Sequence, residues 1–180
     1  RGQTWTSISG DLPENGPAFS IVQDNVEPRL LFLGTEFSAF TSVDGGASWI
    51  ELGSGLPTIP VRELEIKKRE NDLVAATFGR SFYVIDDYTP LRELASSSAE
   101  ILASQGHVFD VKDGKMFSRW NPGGSSGSDF YEAENPEFGV TFTYYVRETL
   151  RTREATRRAE ERRAAARGDD TPYPTWDELR

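Results

Sequence analysis

The chain has 180 residues, which is enough for one domain of ordinary size. Its formal net charge of −9 argues against nucleic acid as a general partner. It has no cysteine, so disulfides are excluded, and no apolar run approaches the roughly 20 residues that a membrane-spanning helix needs.

The first residues match the end of a turn motif that is complete further along the chain. Gly2, Thr4 and Trp5 fit its Gly-x-Thr-Trp ending, whereas the aspartate that should precede them is missing. This half motif predicts that the chain begins inside a repeat of a longer polypeptide. Residues 5–8 are accordingly predicted to form the outer strand of a preceding unit.

Four strands are predicted in the first third of the chain. Residues 18–24 are expected to form an inner strand, and residues 29–35 are nearly all apolar, as is typical of a strand buried on both faces. Residues 39–43 and 49–52 are predicted to form a hairpin around the complete turn motif. A Gly- and Pro-rich segment, 53–60, then leads to a second group of strands.

The hairpin carries the pattern Ser-x-Asp-x-Gly-x-Ser-Trp, which is called an Asp-box or BNR repeat. Asp44 can accept hydrogen bonds from turn N–H groups, and the two glycines after it allow the positive φ that a tight hairpin requires. The serines can add short hydrogen bonds across the turn, and the tryptophan can anchor the sheet. These structural roles are favoured over the alternative of a catalytic or metal-binding Asp44. The predicted Asp-box residues are Ser42, Asp44, Gly46, Ser48 and Trp49.

The second group of strands repeats the first. Residues 31–35 align with 73–77, and residues 38–44 align with 81–87, at an offset of about 42 to 43 residues. A repeat of roughly 40–45 residues that holds several short strands is typical of a β-propeller blade. Asp87 matches the motif aspartate, but the rest of the Asp-box is lost there, as expected where a series of repeats stops.

Further elements are predicted around and after this repeat. A strand is expected at 61–67, where the alternation of apolar and polar residues is imperfect. A short helical turn with proline at its first position is expected at 89–94. Residues 96–105 are predicted to form a surface connection, and residues 106–111 an extra strand.

Few side chains in the chain suggest chemistry. Arg80 lies in a hairpin between two apolar strands, where it could form a structural ion pair or hold the carboxylate of a ligand. His107 is the only histidine, so neither a zinc site nor Ser/His/Asp catalysis is expected within the chain. Asp86 and Asp87 point to opposite faces of a strand, which favours a turn over a catalytic pair. No catalytic residue, cofactor or metal ligand is predicted.

The composition changes in the last third of the chain. Residues 121–128 predict a flexible linker rather than a phosphate-binding loop, because the Gly-Lys-Ser/Thr ending is missing. Residues 138–146 alternate apolar and polar side chains, which indicates a half-exposed strand of a separate β-sandwich. Residues 147–167 are rich in Arg, Glu and Ala and predict a largely solvated helix that ends at Gly168.

Several stretches resemble one family. Residues 42–49 and 73–91 resemble the end of the propeller in large bacterial proteins known as BNR-repeat glycosyl hydrolases, which are related to the sortilin-type propeller. In that family a histidine usually precedes the Gly-Arg pair, whereas this chain has Phe78 there. Residues 134–145 resemble the family's next segment, which enters a β-sandwich. The helix and the Pro-rich stretch 171–180 resemble an insertion in that sandwich.

The resemblance implies an all-β fold in three parts. The last blades of a β-propeller are expected at 1–112. A linker and the first strands of a β-sandwich are expected at 113–146. A charged helix and a Pro-rich turn, inserted in the sandwich, are expected at 147–180. The remaining propeller blades are then expected to come from the same or a companion polypeptide.

The same resemblance gives an expected function. The chain is expected to be a fragment of an exported bacterial protein, secreted, periplasmic or at the cell surface, that binds or scaffolds a peptide or glycan ligand. The alternative is a glycoside hydrolase, similar to sialidases or xyloglucanases, whose catalytic carboxylates lie mainly outside this chain. A third reading is a purely structural assembly module. None of these readings includes a nucleic acid, a membrane span or a cofactor.

Overall fold

The computed structural model describes most of the chain, and the contacts in it define two compact units, Arg1–Tyr145 and Val146–Arg180. The described residues form mostly antiparallel β-sheet with two helices, which is compatible with the all-β class. Within these residues, no helix has both the length and the apolar composition needed to cross a membrane. The described residues are 2–53, 55–114, 116, 138–148, 150–170 and 176.

The first sheet, sheet 1, is a four-stranded antiparallel meander. Its strands are β1 (Ala18–Gln23), β2 (Leu31–Thr35), β3 (Ala39–Ser42) and β4 (Ile50–Glu51), and each pairs with the next. All five residues of β2 are buried. The prediction that this apolar run forms a strand covered on both faces is therefore confirmed.

The second sheet, sheet 2, is a three-stranded antiparallel meander of β5 (Val61–Lys67), β6 (Asp72–Thr77) and β7 (Phe82–Ile85). β5 packs against β1 and β2, so the two sheets lie face to face. A hydrogen bond from Leu64 N to Ser20 Oγ, at 3.2 Å, links the two first strands directly.

The two sheets share an irregularity at the same place. The pairing of β1 with β2 shifts register between Ala18 and Ser20, and the pairing of β5 with β6 shifts between Val61 and Glu63. A bulge puts an extra residue in one strand and reverses the alternation beyond it. The bulge in β5 explains the imperfect pattern at 61–67, because Arg62 and Glu63 are both exposed between buried neighbours.

The loop after the second strand is also built alike in both sheets. Thr35 donates from its backbone N and from its hydroxyl to Ser38 O, both at 2.9 Å. Thr77 donates from the same two atoms to Ser81 O, at 3.0 and 2.8 Å. Each sheet thus closes its second hairpin with a threonine, although the loop in sheet 2 is one residue longer.

Apolar side chains between the two sheets form the main core. Gly34 allows the sheets to approach closely, because a Cβ atom there would lie 2.6 Å from the carbonyl oxygen of Val61. The main core also extends to the helix that follows sheet 2. Its buried residues are Leu30, Phe32, Ala39, Val61, Leu64, Ile66, Leu73, Ala75, Tyr88 and Ala95.

That helix, α1 (Thr89–Ala103), is much longer than the predicted turn. The prediction of a surface connection at 96–105 is therefore wrong. Its three consecutive serines weaken the helical propensity, but burial of Ala95 and Ile101 favours the helix more than propensity opposes it. The helix bends at Ser97, which has φ −138° and ψ 29°.

The segment 5–8 does not form a strand, so that prediction is wrong. Trp5 is 91% exposed, and among the described residues no strand pairs with this segment. The segment is attached instead through Ile8, whose carbonyl oxygen accepts a hydrogen bond from the Trp49 side chain. It packs on the Asp-box turn rather than extending a sheet.

A short pair of strands follows α1. β8 (Gly106–Val108) pairs with β9 (Tyr144–Val146). The predicted strands at 106–111 and 138–146 are thus each reduced to three residues. Alternation alone overestimated the second strand, because a strand extends only as far as its partner supplies hydrogen bonds.

The second unit contains α2 (Arg153–Arg167). Thr152 starts it by accepting the N–H of Ala155 at 3.1 Å, so the predicted start at 147 is wrong. Gly168, with φ 76°, ends the helix as predicted.

Some predicted features fall in parts of the chain that the structure does not describe. They are the linker at 121–128, the turn at 134–137 and the Pro-rich segment at 171–175. The three-part division of the chain therefore stays a prediction.

Candidate functional site

The Asp-box turn connects β3 to β4, and Asp44 organises it. Oδ1 of Asp44 accepts the N–H groups of Ala47 and Ser48 at 3.0 and 2.9 Å and the hydroxyl of Ser42 at 2.8 Å. Oδ2 accepts the hydroxyl of Ser48 at 2.5 Å. The predicted hydrogen bonds of Asp44 are therefore present, and they hold its carboxylate within its own turn.

The two glycines of the turn adopt the predicted backbone conformation. Gly45 and Gly46 have φ of 79° and 91°, a region that other residues adopt at a cost. The N–H of Gly46 donates to Ser42 Oγ at 2.8 Å. A Cβ atom on Gly46 would lie 2.6 Å from Cβ of Ile8, so the N-terminal segment packs directly on this turn.

Trp49 anchors the turn to the rest of the first unit. It is 7% exposed, its backbone N donates to Asp11 Oδ1 at 2.7 Å, and its indole N–H donates to Ile8 O at 2.8 Å. Asp11, which the sequence analysis did not single out, thus helps to hold Trp49. Trp49 belongs to a second apolar cluster, on the face of sheet 1 away from sheet 2, with Leu12, Leu31, Leu33 and Phe40.

Asp44→Asn is expected to destabilise the chain by about 1 kcal/mol, within the range measured for capping residues. Hydrogen bonds from the Ser48 side chain and backbone lower the pKa of Asp44 from 3.8 to about 2. Because the pKa of Asp44 is lower in the folded state, its ionised carboxylate stabilises the fold at any pH above the unfolded-state pKa. That stabilisation is lost as the pH falls from 3.8 towards 2. Urea unfolding at pH 7 and pH 2.5 measures it. A deficit in the Asn variant that is as large at pH 2.5 as at pH 7 would contradict the assignment.

Arg80, the predicted ligand contact, lies in the hairpin between β6 and β7 and is exposed. It is flanked by Gly79 and Ser81, both with positive φ of 88° and 62°. Within the described residues it has no ion pair, so the structural ion pair is not formed there. A ligand contact for Arg80 stays a prediction.

Arg62 is a second exposed arginine, which the sequence did not single out. Its guanidinium carbon lies 4.1 Å from the centre of the Phe19 ring and 5.5 Å from the centre of the Phe78 ring. The described residues provide it with no hydrogen bond or ion pair. The bulge in β5 causes this arrangement, because it exposes Arg62 at the end of the strand where β1 and the β6–β7 hairpin meet.

A largely buried polar cluster joins the end of β1, the β5–β6 hairpin and the start of α1. We define it as Asp24, Asn71, Tyr88 and Arg92. Oδ1 of Asp24 accepts the Tyr88 hydroxyl and Nη2 of Arg92, both at 2.7 Å, and Oδ2 accepts Nε of Arg92 at 2.8 Å. Oδ2 also accepts two backbone N–H groups of the following turn. Arg92 Nη1 donates to Asn71 Oδ1 at 2.8 Å.

The surroundings fix the charge states in this cluster. Burial raises the pKa of Asp24, but the hydrogen bonds from Arg92, the turn and Tyr88 outweigh it, so that pKa lies well below its ordinary value. Burial and the hydrogen bond to Asp24 raise the pKa of Tyr88 far above its ordinary value. The ion pair with Asp24 raises the pKa of Arg92. Near neutral pH the cluster therefore holds a carboxylate, a neutral phenol and a guanidinium, none poised to exchange a proton.

The remaining predicted residues have structural contacts. His107 Nε2 lies 2.9 Å from Glu93 Oε2, and Oε1 of Glu93 accepts the N–H of Asp110 at 2.7 Å. Asp87 accepts the hydroxyl of Thr89 at 2.7 Å, at the start of α1. The prediction of a turn role for Asp87 is thus consistent with its contacts.

Two clefts lie on the face of sheet 1 that points away from sheet 2. One, of about 410 Å³, is mainly apolar and includes Ile21 and Trp49. The other, of about 460 Å³, includes Glu14 and Phe37. Leu33 lines both. The N-terminal segment thus covers this face of the sheet only in part.

Neither grouped metal ligands among the described residues nor similarity to known proteins indicates a further site. Among the described residues, no three His, Asp or Glu side chains are grouped so that they could hold a metal ion. No protein-family model, curated protein or solved structure matches the chain.

Proposed function

We propose that the chain is a segment of a β-propeller in an exported protein that binds a peptide or glycan ligand. The observation that carries this proposal is the repetition of sheet 1 in sheet 2. Strand positions, bulge and hairpin hydrogen bonds recur at the offset of one blade. Such recurrence is expected of blades stacked around a common axis.

The exposed face of sheet 2 supports the same proposal. Phe32 and Ala39 are buried where sheet 2 covers sheet 1, and their counterparts in the repeat are Val74 and Phe82. Phe82 is 68% exposed and its neighbour on the same face, Val84, is 53% exposed. A further blade packed on sheet 2 would bury this apolar face as sheet 2 buries that of sheet 1.

The number of strands gives independent support. Sheet 1 has four strands, whereas among the described residues sheet 2 has three and β7 is an edge. An edge strand offers unpaired N–H and C=O groups that a fourth strand can satisfy. The proposed companion blades would supply that strand.

The carboxylates favour binding over hydrolysis. A glycosidase needs an acid whose pKa is raised so that it can donate a proton. Among the described residues, the two aspartates with the most strongly shifted pKa are Asp44 and Asp24, and in both the pKa is lowered. Both carboxylates also accept at least four hydrogen bonds from their own surroundings. Their roles are structural, which leaves exposed loop residues as the ligand contacts.

The native protein is therefore expected to retain glycans or peptides without cleaving them. Retention on immobilised oligosaccharides and peptides, together with assays for released reducing ends and amines, measures this. The control is the Asp44→Asn variant, which should behave as the parent protein in both assays. Hydrolysis by the parent protein would contradict the proposal, and loss of that hydrolysis in Asp44→Asn without a change in melting temperature would make Asp44 catalytic.

A further inference from the structure

We propose that Arg62, with the rings of Phe19 and Phe78, binds the carboxylate of an acidic sugar, such as a uronic acid residue of a glycan. This inference rests on the proposed binding function and names its ligand class. It assigns a residue that the sequence did not select.

The centre of the site is a positively charged group that packs against two aromatic rings. The guanidinium of Arg62 lies over the Phe19 ring at 4.1 Å and near the Phe78 ring at 5.5 Å. Attraction to the ring faces holds the guanidinium against the two rings. No hydrogen bond or ion pair with the described residues uses its N–H groups. The edge of the guanidinium is thus ready to donate two parallel hydrogen bonds.

Hydrogen bonds anchor the backbone segments that carry the two rings. The N–H of Phe78 donates to Pro60 O at 2.9 Å, which ties its hairpin to the residues just before Arg62. β1, which carries Phe19, is joined to β5 by the hydrogen bond between Leu64 and Ser20. The three elements that carry the site are therefore joined before a ligand arrives. Such preorganisation reduces the entropy lost on binding.

The charge of the chain favours a carboxylate over a phosphate. The chain has a net charge of −9, and a single guanidinium does not neutralise a group that holds two charges on one centre, as a phosphate does. A single guanidinium edge matches one planar carboxylate bidentately. Arg80 follows Phe78 by two residues and adds positive charge to the same hairpin.

The aromatic surface favours a sugar as the carrier of that carboxylate. Phe78 is 68% exposed beside the guanidinium. The C–H groups on the face of a pyranose carry a partial positive charge and pack on the negative face of an aromatic ring. A uronic acid places such a face next to its carboxylate, so one residue can engage both the ring and Arg62.

The test is calorimetric titration of the native protein with a galacturonic acid trimer, with the neutral galactose trimer and with a short acidic peptide. The acidic trimer should bind at least tenfold more tightly than the neutral one, as expected for hydrogen bonds to a charged group. Arg62→Gln should weaken that binding roughly tenfold to a hundredfold. Arg62→Lys should recover only part of it, because lysine keeps the charge and loses the planar fork.

Two further variants keep the result interpretable. Arg69→Gln removes the same charge from an arginine side chain that is 87% exposed in the β5–β6 hairpin, and it should change the affinity less than twofold. Phe78→Ala alters an exposed ring and should weaken binding severalfold without unfolding. Equal binding of acidic and neutral trimers, an effect of Arg69→Gln equal to that of Arg62→Gln, or binding of the peptide alone would overturn the inference. Retention of neutral glycans independent of Arg62 would sink this inference and leave the binding function intact, whereas no retention of any ligand would sink both.

Discussion

Replacing Arg92 with leucine is expected to lower the free energy of unfolding by about 3–5 kcal/mol, the usual cost of leaving a buried charge without its partner. The side chain of Asp24 is fully buried, that of Arg92 is 16% exposed, and their closest atoms are 2.7 Å apart. Without Arg92 the carboxylate keeps only Tyr88 and two backbone N–H groups. Denaturant unfolding at neutral pH measures the loss.

The double variant Asp24→Asn with Arg92→Leu is the control, because it removes both charges together. It should be more stable than Arg92→Leu alone, since no unpaired charge remains in the interior. A loss below 1 kcal/mol for Arg92→Leu, or no recovery in the double variant, would contradict a buried ion pair that stabilises this fold.

The pH dependence gives a separate check on the same cluster. In the parent chain the pKa of Asp24 is lower in the folded than in the unfolded state. Its carboxylate therefore adds to the free energy of unfolding at any pH above the unfolded-state pKa of 3.8, and this contribution is lost as the pH falls below that value. In Arg92→Leu the hydrogen bonds from the guanidinium are lost, so the pKa of Asp24 lies higher than in the parent. The variant can then protonate Asp24, so its deficit relative to the parent should shrink as the pH is lowered.

Trp49→Ala is expected to lower the free energy of unfolding by about 3–5 kcal/mol, as large aromatic truncations in a core do. The ring is 7% exposed, packs with three side chains of sheet 1, and donates to the carbonyl of Ile8. Its loss would open a cavity and release the N-terminal segment from the turn.

Two tryptophan controls separate packing from hydrogen bonding. Trp49→Phe keeps a ring but loses the indole N–H, so it should cost about 1 kcal/mol for the hydrogen bond plus a smaller cavity cost. Trp5→Ala removes a residue that is 91% exposed and should change stability by less than about 0.5 kcal/mol. A loss for Trp5→Ala equal to that for Trp49→Ala would refute the assignment of Trp49 as the anchor.

Local patterns were enough to predict most of the sheets. The apolar run of β2 and the Asp-box turn are encoded by neighbouring residues, so their strand, glycine conformations and Asp44 hydrogen bonds follow from short-range rules. The repeat offset added the strands of sheet 2. Strand lengths were less predictable, since β9 extends only as far as β8 pairs with it.

Neither the Asp24–Arg92 ion pair nor the surroundings of Arg62 could be predicted from the sequence. Asp24 and Arg92 are separated by 68 positions in the chain, and no local pattern relates residues that far apart. Arg62 looked like an ordinary polar position, because the bulge that exposes it depends on pairing with β6. The one sign available was the broken alternation at 61–67, which indicated a bulge but not its neighbours.

We propose that sheet 2 packs against a further blade. Sizing and intact mass of the native material, under non-denaturing and then denaturing conditions, test it most directly. We predict that this chain is found covalently or tightly joined to additional blade sequence, which separates only on denaturation if it is a companion polypeptide. A 180-residue chain that runs alone as a compact monomer and melts cooperatively would contradict the claim.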